Sequence, residues 1–203
     1  MRKAFLFCGL AVAVIVSAFA TIAQGLPIGS DIPKADIKMK DVSGAIISLK
    51  DARTANGLLV MFSCNTCPYV IKNQSRTKAI CAFAKEKDLG VIILNANEGG
   101  RNNGESLAEM QAYAQAQSYD WYYALDSDNT LADAFGATRT PECFLFNKNG
   151  KLVYHGAIDD SPADISEVKR THLKQAITEM AQGNDVGVKE SRSVGCSIRR
   201  KGT

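Results

Sequence analysis

The amino-acid sequence predicts an α/β domain with a mixed central β-sheet flanked by helices on both faces. Three observations predict this class. Short apolar runs alternate with helix-like segments in the middle of the chain, a hairpin pattern precedes them, and a second hairpin followed by a helix ends the domain. Alternation favours parallel strands, whereas the late hairpin favours an antiparallel edge. With 203 residues, the chain is long enough for one domain with a proper core.

The first half of the predicted domain contains a hairpin, two buried strands and a long helix. In chain order these are a hairpin of residues 37–42 and 45–49, a strand over 57–62, a helix over 68–87 and a strand over 91–94. Ser43-Gly44 provides the tight turn of the hairpin. Both later strands are apolar throughout, as expected of strands covered on two faces. Pro68 is tolerated at a helix start, because its missing N–H would have had no partner there.

The second half adds shorter elements after a polar loop over residues 98–105. These are a helix over 106–117, a strand over 121–125, a helix over 129–135, a hairpin of 142–147 and 151–155, and a last helix over 163–182. Ser106 and Glu109 have the spacing of a capping box. Asp126 and Asp128 lack the later glycine and glutamate of a calcium loop, which favours helix capping. Asp159-Asp160 predicts a turn, so we expect no metal site.

The N-terminal segment, residues 1–23, predicts a secretory signal peptide. Arg2 and Lys3 form a positive n-region, an apolar stretch follows over residues 4–19, and Ala18-Phe19-Ala20 has the small-x-small pattern of a cleavage site. An uncleaved membrane anchor is the alternative, because the apolar stretch approaches spanning length. We therefore expect an exported protein, associated with the membrane only if the segment is retained.

The rest of the chain is divided by composition. We expect a linker over 24–35, one domain over 36–182 and a polar C-terminal tail over 183–203. The formal net charge is +3, and two of these charges lie in the expected signal, so the mature chain is nearly neutral and no nucleic-acid partner is predicted. Of the six cysteines, Cys8 lies in the signal, and export would place the other five in an oxidising compartment.

Cys64-Asn65-Thr66-Cys67 carries the chemistry that the sequence predicts. This C-x-x-C pair lies between a buried strand and a helix, where free N–H groups and the helix dipole lower the pKa of a thiol. We expect Cys64 to lie nearer the helix start and attack a substrate disulfide, and Cys67 to resolve the mixed disulfide. A structural zinc site would need a second ligand pair, which the sequence lacks, and a structural disulfide is a further alternative.

Several motifs together resemble the thioredoxin-like, peroxiredoxin-like redoxin proteins of bacteria. They are Phe62 to Val70 around the C-x-x-C, Thr140-Pro141, Tyr154-His155-Gly156 with Asp159-Asp160, and Gly195-Cys196-Ser197-Ile198. The resemblance covers about residues 36–200 and implies a thioredoxin fold with an active-site C-x-x-C. We expect no cofactor, and the expected signal peptide implies a periplasmic location. Members often carry His where Thr66 stands. Without an imidazolium beside the thiols, we expect a less acidic nucleophile and a more reducing couple.

The resemblance also assigns residues around the thiols. It implies a cis peptide bond between Thr140 and Pro141, which would leave the backbone beside Thr140 free to pair with an extended substrate. Arg139 would flank the site and steer acidic partners or stabilise a thiolate, with a surface role as the alternative. Cys143 and Cys196 are candidate third redox thiols. Cys143 is otherwise a core residue, whereas Cys196 lies in a polar tail that can fold back.

The predicted function is thiol–disulfide oxidoreductase, acting as a monomer on protein disulfides or thiols with a redox partner protein. A thiol peroxidase is one alternative, although Val60 and Cys64 stand where the peroxidase motif P-x-x-x-T-x-x-C has Pro and Thr. A copper-handling protein is another, because soft thiolates suit Cu(I) and His155 supplies a nitrogen. Such proteins space their cysteines one residue further apart than Cys64 and Cys67.

Overall fold

The computed structural model describes residues 25–202, so the expected signal peptide lies outside the described residues. The strands are β1 (Met39–Lys40), β2 (Ile46–Ile47), β3 (Leu58–Ser63), β4 (Gly90–Asn95), β5 (Tyr122–Leu125), β6 (Arg139–Thr140), β7 (Glu142–Phe146), β8 (Leu152–Gly156) and β9 (Cys196–Ser197). The α-helices are α1 (Leu49–Ala52), α2 (Pro68–Glu86), α3 (Leu107–Gln117), α4 (Thr130–Phe135) and α5 (His172–Ala181). No helix among residues 25–202 is long and apolar enough to cross a membrane.

The central sheet has the strand order β5-β4-β3-β7-β8. β3 pairs in parallel with β4, and β4 with β5, whereas β7 and β8 are antiparallel to their neighbours. The mixed sheet predicted from the sequence is therefore confirmed. β3 lies at its centre with every residue buried, so the site that follows β3 is attached to the buried centre of the sheet.

Alternate residues of the central strands pack into two separate cores, one on each face of the sheet. On one face, Val60 and Phe62 pack with α1, α4 and the aromatic side chains of Phe135 and Phe144. On the other face, Met61 packs with α2, α3 and α5. Helices thus cover both faces, as the sequence predicts, and the continuous apolar run of β3 is explained by burial on two sides.

Two helices differ from their predicted extents. Residues 45–49 were expected to form a strand, but β2 is short and Ser48 and Asp51 form a capping box that starts α1 at Leu49. The helix expected over 163–182 begins only at His172. Asp160 holds the preceding segment in a turn, because its carboxylate accepts the backbone N–H groups of Lys169 and Arg170.

The chain ends pack against the domain more closely than their composition predicts. In the segment expected to be a linker, Leu26, Ile28 and Ile32 pack against the core beside α1 and α4. In the segment expected to be a polar tail, Val186 and Ile198 are buried, and β9 pairs with β6. A few apolar residues among many polar ones are enough to dock both segments. The average composition of a segment therefore does not predict whether it docks.

Candidate active site

The two thiols of the C-x-x-C pair lie between the end of β3 and the start of α2. α2 begins at Pro68 as expected, and Cys67 is its N-cap residue. The expectation that Cys64 lies nearer the helix start is therefore wrong. Cys64 and Cys67 are only 0% and 4% exposed, and they form an apolar cluster with Val70, against which Cys196 packs.

Thr140 contacts both thiols from the opposite side of the site. The bond between Thr140 and Pro141 is cis, which confirms the expectation drawn from the resemblance. The Thr140 Oγ1 atom lies 3.5 Å from Cys64 Sγ, and the Cys67 thiol donates to the Thr140 carbonyl oxygen at 3.4 Å. Because Thr140 is itself fully buried, this loop fixes both sulfur atoms without exposing them to water.

The surroundings of the two thiols favour ionisation of Cys67 over ionisation of Cys64. The neighbouring Cys64 thiol lowers the pKa of Cys67; burial opposes this effect, and the Cys196 thiol and the backbone N–H of Val70 add to it. The neighbouring Cys67 thiol raises the pKa of Cys64, as do burial and the negative charge of Glu105. The free N–H groups of the first turn of α2 support this order, since they favour negative charge at the N-cap. Cys67 is therefore the better thiolate.

Glu105 is a site residue that the sequence analysis missed. Its carboxylate is fully buried and accepts the backbone N–H groups of Asn65 and Thr66 at 2.9 and 3.1 Å. It also accepts the Thr66 hydroxyl at 2.6 Å and the Asn95 amide at 2.7 Å, and it forms an ion pair with Arg199 at 3.2 Å. Glu105 thus fixes the turn between the cysteines. The Thr66 side chain is directed to this carboxylate and to Arg199.

The C-terminal segment occupies the backbone edge that was expected to be open to substrate. β9 pairs antiparallel with β6, and Cys196 lies opposite Thr140. The expectation that the backbone beside Thr140 is free to pair with substrate is therefore not met while β9 is docked. Arg139 is exposed, and its guanidinium donates to the Ser197 hydroxyl at 2.8 Å, so it holds the tail.

The remaining candidate residues lie outside this cluster of thiols. Cys143 is fully buried in β7 among the core residues that pack with α2 and α5, and burial raises the pKa of its thiol well above the ordinary value. Its placement is that of the core residue which the sequence analysis gave as the alternative. The ring of His155 stacks on Phe144, and its Nε2 atom pairs with Glu142 at 2.8 Å. His155 is thus held by a buried carboxylate, and no group of three potential metal ligands occurs among residues 25–202.

Comparisons with known proteins agree with this geometry. Residues 27–171 match the family model described as Redoxin. A hypothetical protein from Sinorhizobium meliloti 1021 has a TM-score of 0.79 at 29% identity, covering 88% of this chain and 97% of its own. An uncharacterized conserved protein from Geobacillus kaustophilus has a TM-score of 0.79 at 28% identity, covering 87% and 94%.

More distant structures are similar in fold alone. A peroxidoxin from Mycobacterium tuberculosis has a TM-score of 0.51 at 14% identity, covering 77% of this chain and 94% of its own. No curated protein matches the chain. The mixed sheet, the cis proline and these similarities together establish a thioredoxin-like fold.

Proposed function

The chain belongs to the Redoxin family, and we propose that it is a thiol–disulfide oxidoreductase. Membership of this family supports thiol redox activity. Its redox centre is the Cys64–Cys67 pair. The observation that carries the proposal is the position of Cys67, a thiol at the N-cap of α2 with a lowered pKa and a second thiol beside it. A thiolate flanked by a thiol is the minimum required for disulfide exchange.

We propose that Cys67, the N-cap residue of α2, takes the attacking role that the sequence analysis expected of Cys64. The Cys67 thiolate attacks one sulfur of a substrate disulfide, forming a mixed disulfide and releasing the other sulfur as a thiolate. Cys64 then attacks Cys67 Sγ, so that the Cys64–Cys67 disulfide forms and the second substrate sulfur leaves. The released substrate thiolates take up the protons that Cys64 and solvent supply. Thr140 Oγ1, 3.5 Å from Cys64 Sγ, is placed to donate a hydrogen bond to the Cys64 thiolate that attacks in this step.

Substrates of this centre are proteins or peptides with accessible disulfides or thiols. Both cysteines are buried beneath β9, which has only two residues, so an extended substrate reaches Cys67 when β9 separates from β6. The freed edge of Thr140 then pairs with the substrate backbone. This mode of recognition uses main-chain hydrogen bonds and is tolerant of side-chain sequence.

We further propose that the reaction takes place outside the cytoplasm, in the periplasm. The support is the positive n-region, the apolar stretch and the small residues of the N-terminal segment. Mass spectrometry of the native protein tests this: we expect a chain that begins near residues 22–24. A membrane-bound chain that retains Arg2 and Lys3 would favour an anchor instead.

Reduction of insulin disulfides by the purified protein, with dithiothreitol as the terminal reductant, tests the function. We expect Cys67→Ser to lose activity. The double variant Cys64→Ser, Cys196→Ser, which lacks both thiols next to Cys67, should accumulate mixed disulfides through Cys67. Cys81→Ala is the matched control, because it removes a fully buried thiol of the α2 core and should retain activity.

The outcomes of this assay test the proposed oxidoreductase function and the roles of Cys64 and Cys67 separately. Trapping through Cys64 in the Cys67→Ser variant would restore the roles expected from the sequence. If the wild-type rate equalled that of a chain lacking both cysteines, the proposed function would be wrong.

A further inference from the structure

Three thiols of this chain converge on a single residue, Thr140. Cys64 contacts the Thr140 hydroxyl, Cys67 contacts its carbonyl oxygen, and Cys196 lies opposite it in the β6–β9 pair. The Cys196 side chain packs against the apolar cluster that Cys64, Cys67 and Val70 form at the start of α2. Cys67 therefore has a second thiol neighbour besides Cys64.

The docking of Cys196 is enforced from both sides along the chain. On its C-terminal side, the Ile198 N–H donates to the Thr138 carbonyl oxygen, and the Ile198 side chain is buried in the core. On its N-terminal side, a Cβ atom on Gly195 would lie 2.0 Å from the Thr140 carbonyl oxygen. Only glycine permits this approach, so the backbone around Cys196 fits closely against the residue that contacts both buried thiols.

The three thiols differ in their access to solvent. Cys64 and Cys67 are buried, whereas Cys196 is half-buried. A soluble thiol can therefore reach a disulfide at Cys196 more readily than one between the two buried sulfurs. Burial and the neighbouring Cys67 thiol raise the pKa of the Cys196 thiol, and the positive charge of Arg199 opposes part of this rise.

We propose that Cys196 is a third redox thiol, which takes over the disulfide from the Cys64–Cys67 pair and presents it to an external thiol. The Cys196 thiolate attacks Cys67 Sγ, the Cys67–Cys196 bond forms and the Cys64–Cys67 bond breaks. The electron pair of the broken bond stays on Cys64, which takes up the proton that Cys196 gave up. The exchange changes no net oxidation state, and it rests on the proposed function, which supplies the Cys64–Cys67 disulfide.

Oxidation of the full-length Cys64→Ser variant in a glutathione redox buffer tests whether the Cys67–Cys196 disulfide, the product of this exchange, forms. A tethered thiol has an effective concentration in the millimolar range. With roughly 0.1 mM reduced glutathione, we therefore expect about a tenfold excess of the Cys67–Cys196 disulfide over the Cys67–glutathione adduct. The double variant Cys64→Ser, Cys196→Ser should accumulate the adduct. Mass spectrometry after acid quenching and alkylation identifies both species, and equal adduct levels in the two variants would overturn the proposal.

A variant that keeps all three thiols tests the geometry independently. In the Cys64→Ser background, Gly195→Ala should displace β9 and lower the yield of the Cys67–Cys196 disulfide. Gly187→Ala is the control, because a Cβ atom there would come no closer than 3.6 Å to a neighbouring atom and the disulfide yield should be retained. An unchanged yield in Gly195→Ala would contradict the placement of Cys196 by β9.

Measurements on the wild-type chain distinguish failure of the third-thiol proposal from failure of the proposed function. If it reduces insulin and forms the Cys64–Cys67 disulfide while no Cys67–Cys196 disulfide appears in the Cys64→Ser variant, the third thiol is refuted and the function stands. If wild-type Cys64 and Cys67 stay reduced and insulin is untouched, the function fails, and this inference fails with it.

Discussion

The substitution Glu105→Gln tests how the turn between the two cysteines is fixed. It keeps the shape of the side chain but replaces one carboxylate oxygen with an amide nitrogen, which cannot accept a hydrogen bond. Oε2 accepts from Asn65 and Asn95, and Oε1 accepts from the backbone and hydroxyl of Thr66. Whichever oxygen is replaced, at least two hydrogen bonds to a charged group are lost. At about 1.5 kcal/mol each, the lower end for such bonds, the cost is about 3 kcal/mol.

Urea unfolding followed by circular dichroism measures this cost directly. We expect the free energy of unfolding to fall by about 3 kcal/mol for Glu105→Gln. The control is Glu109→Gln, because Glu109 is exposed and its capping-box role is one that Gln also performs. A Glu105→Gln variant within roughly 0.5 kcal/mol of the wild type, the range of ordinary surface substitutions, would refute the buried network as a source of stability.

The same substitution has an independent consequence for the thiols. The pKa of Cys64 is raised by the neighbouring Cys67 thiol, by burial and by the charge of Glu105. Removal of that charge should therefore lower the pKa of Cys64. Titration of the thiolate absorbance in the Cys67→Ser, Cys196→Ser background reports Cys64 as the remaining cysteine of the site. A Cys64 pKa that does not fall on Glu105→Gln would show that the carboxylate acts on the turn alone.

Three further changes have distinct expected outcomes. Asp159→Asn breaks the buried ion pair of Asp159 with Arg76, whose charged atoms are 2.8 Å apart, and should cost about 3–5 kcal/mol in urea unfolding. Cys143→Ala should lower stability by about 1–2 kcal/mol through the small cavity that it leaves, with unchanged insulin reduction. Ile198→Ala should cost about 2–4 kcal/mol and speed the alkylation of Cys67, because the buried anchor of β9 is lost. A Cys143 variant without activity, or an Ile198 variant with unchanged alkylation, would contradict these roles.

Local signals in the sequence were sufficient for the scaffold of the site. The apolar run before Cys64 predicted β3, and Pro68 predicted the start of α2, because both depend on residues close together in the chain. The cis bond at Thr140-Pro141 followed from the family resemblance. The predicted start of α2 at Pro68 already implies that Cys67 and not Cys64 lies next to the helix start, so that error was avoidable. Which of the two thiols attacks stays a prediction.

Contacts between distant segments could not be predicted from the sequence. Glu105 is 40 residues from Asn65 and lies at the end of a polar loop, where an exposed carboxylate is the usual expectation. Cys196 lies in a segment whose average composition is polar, and one buried isoleucine and one close-fitting glycine dock it. Arg76 and Asp159 likewise become partners only in the folded chain.

The central claim is that Cys64 and Cys67 form a reversible redox couple. Equilibration of the wild-type chain across a series of glutathione redox buffers, with the disulfides mapped by mass spectrometry after quenching, tests this claim most directly. We expect a single two-electron transition in which Cys67 passes from the thiol to an intramolecular disulfide. The Cys67→Ser variant should show no such transition. Cys64 and Cys67 that both stay reduced across the whole series would contradict it.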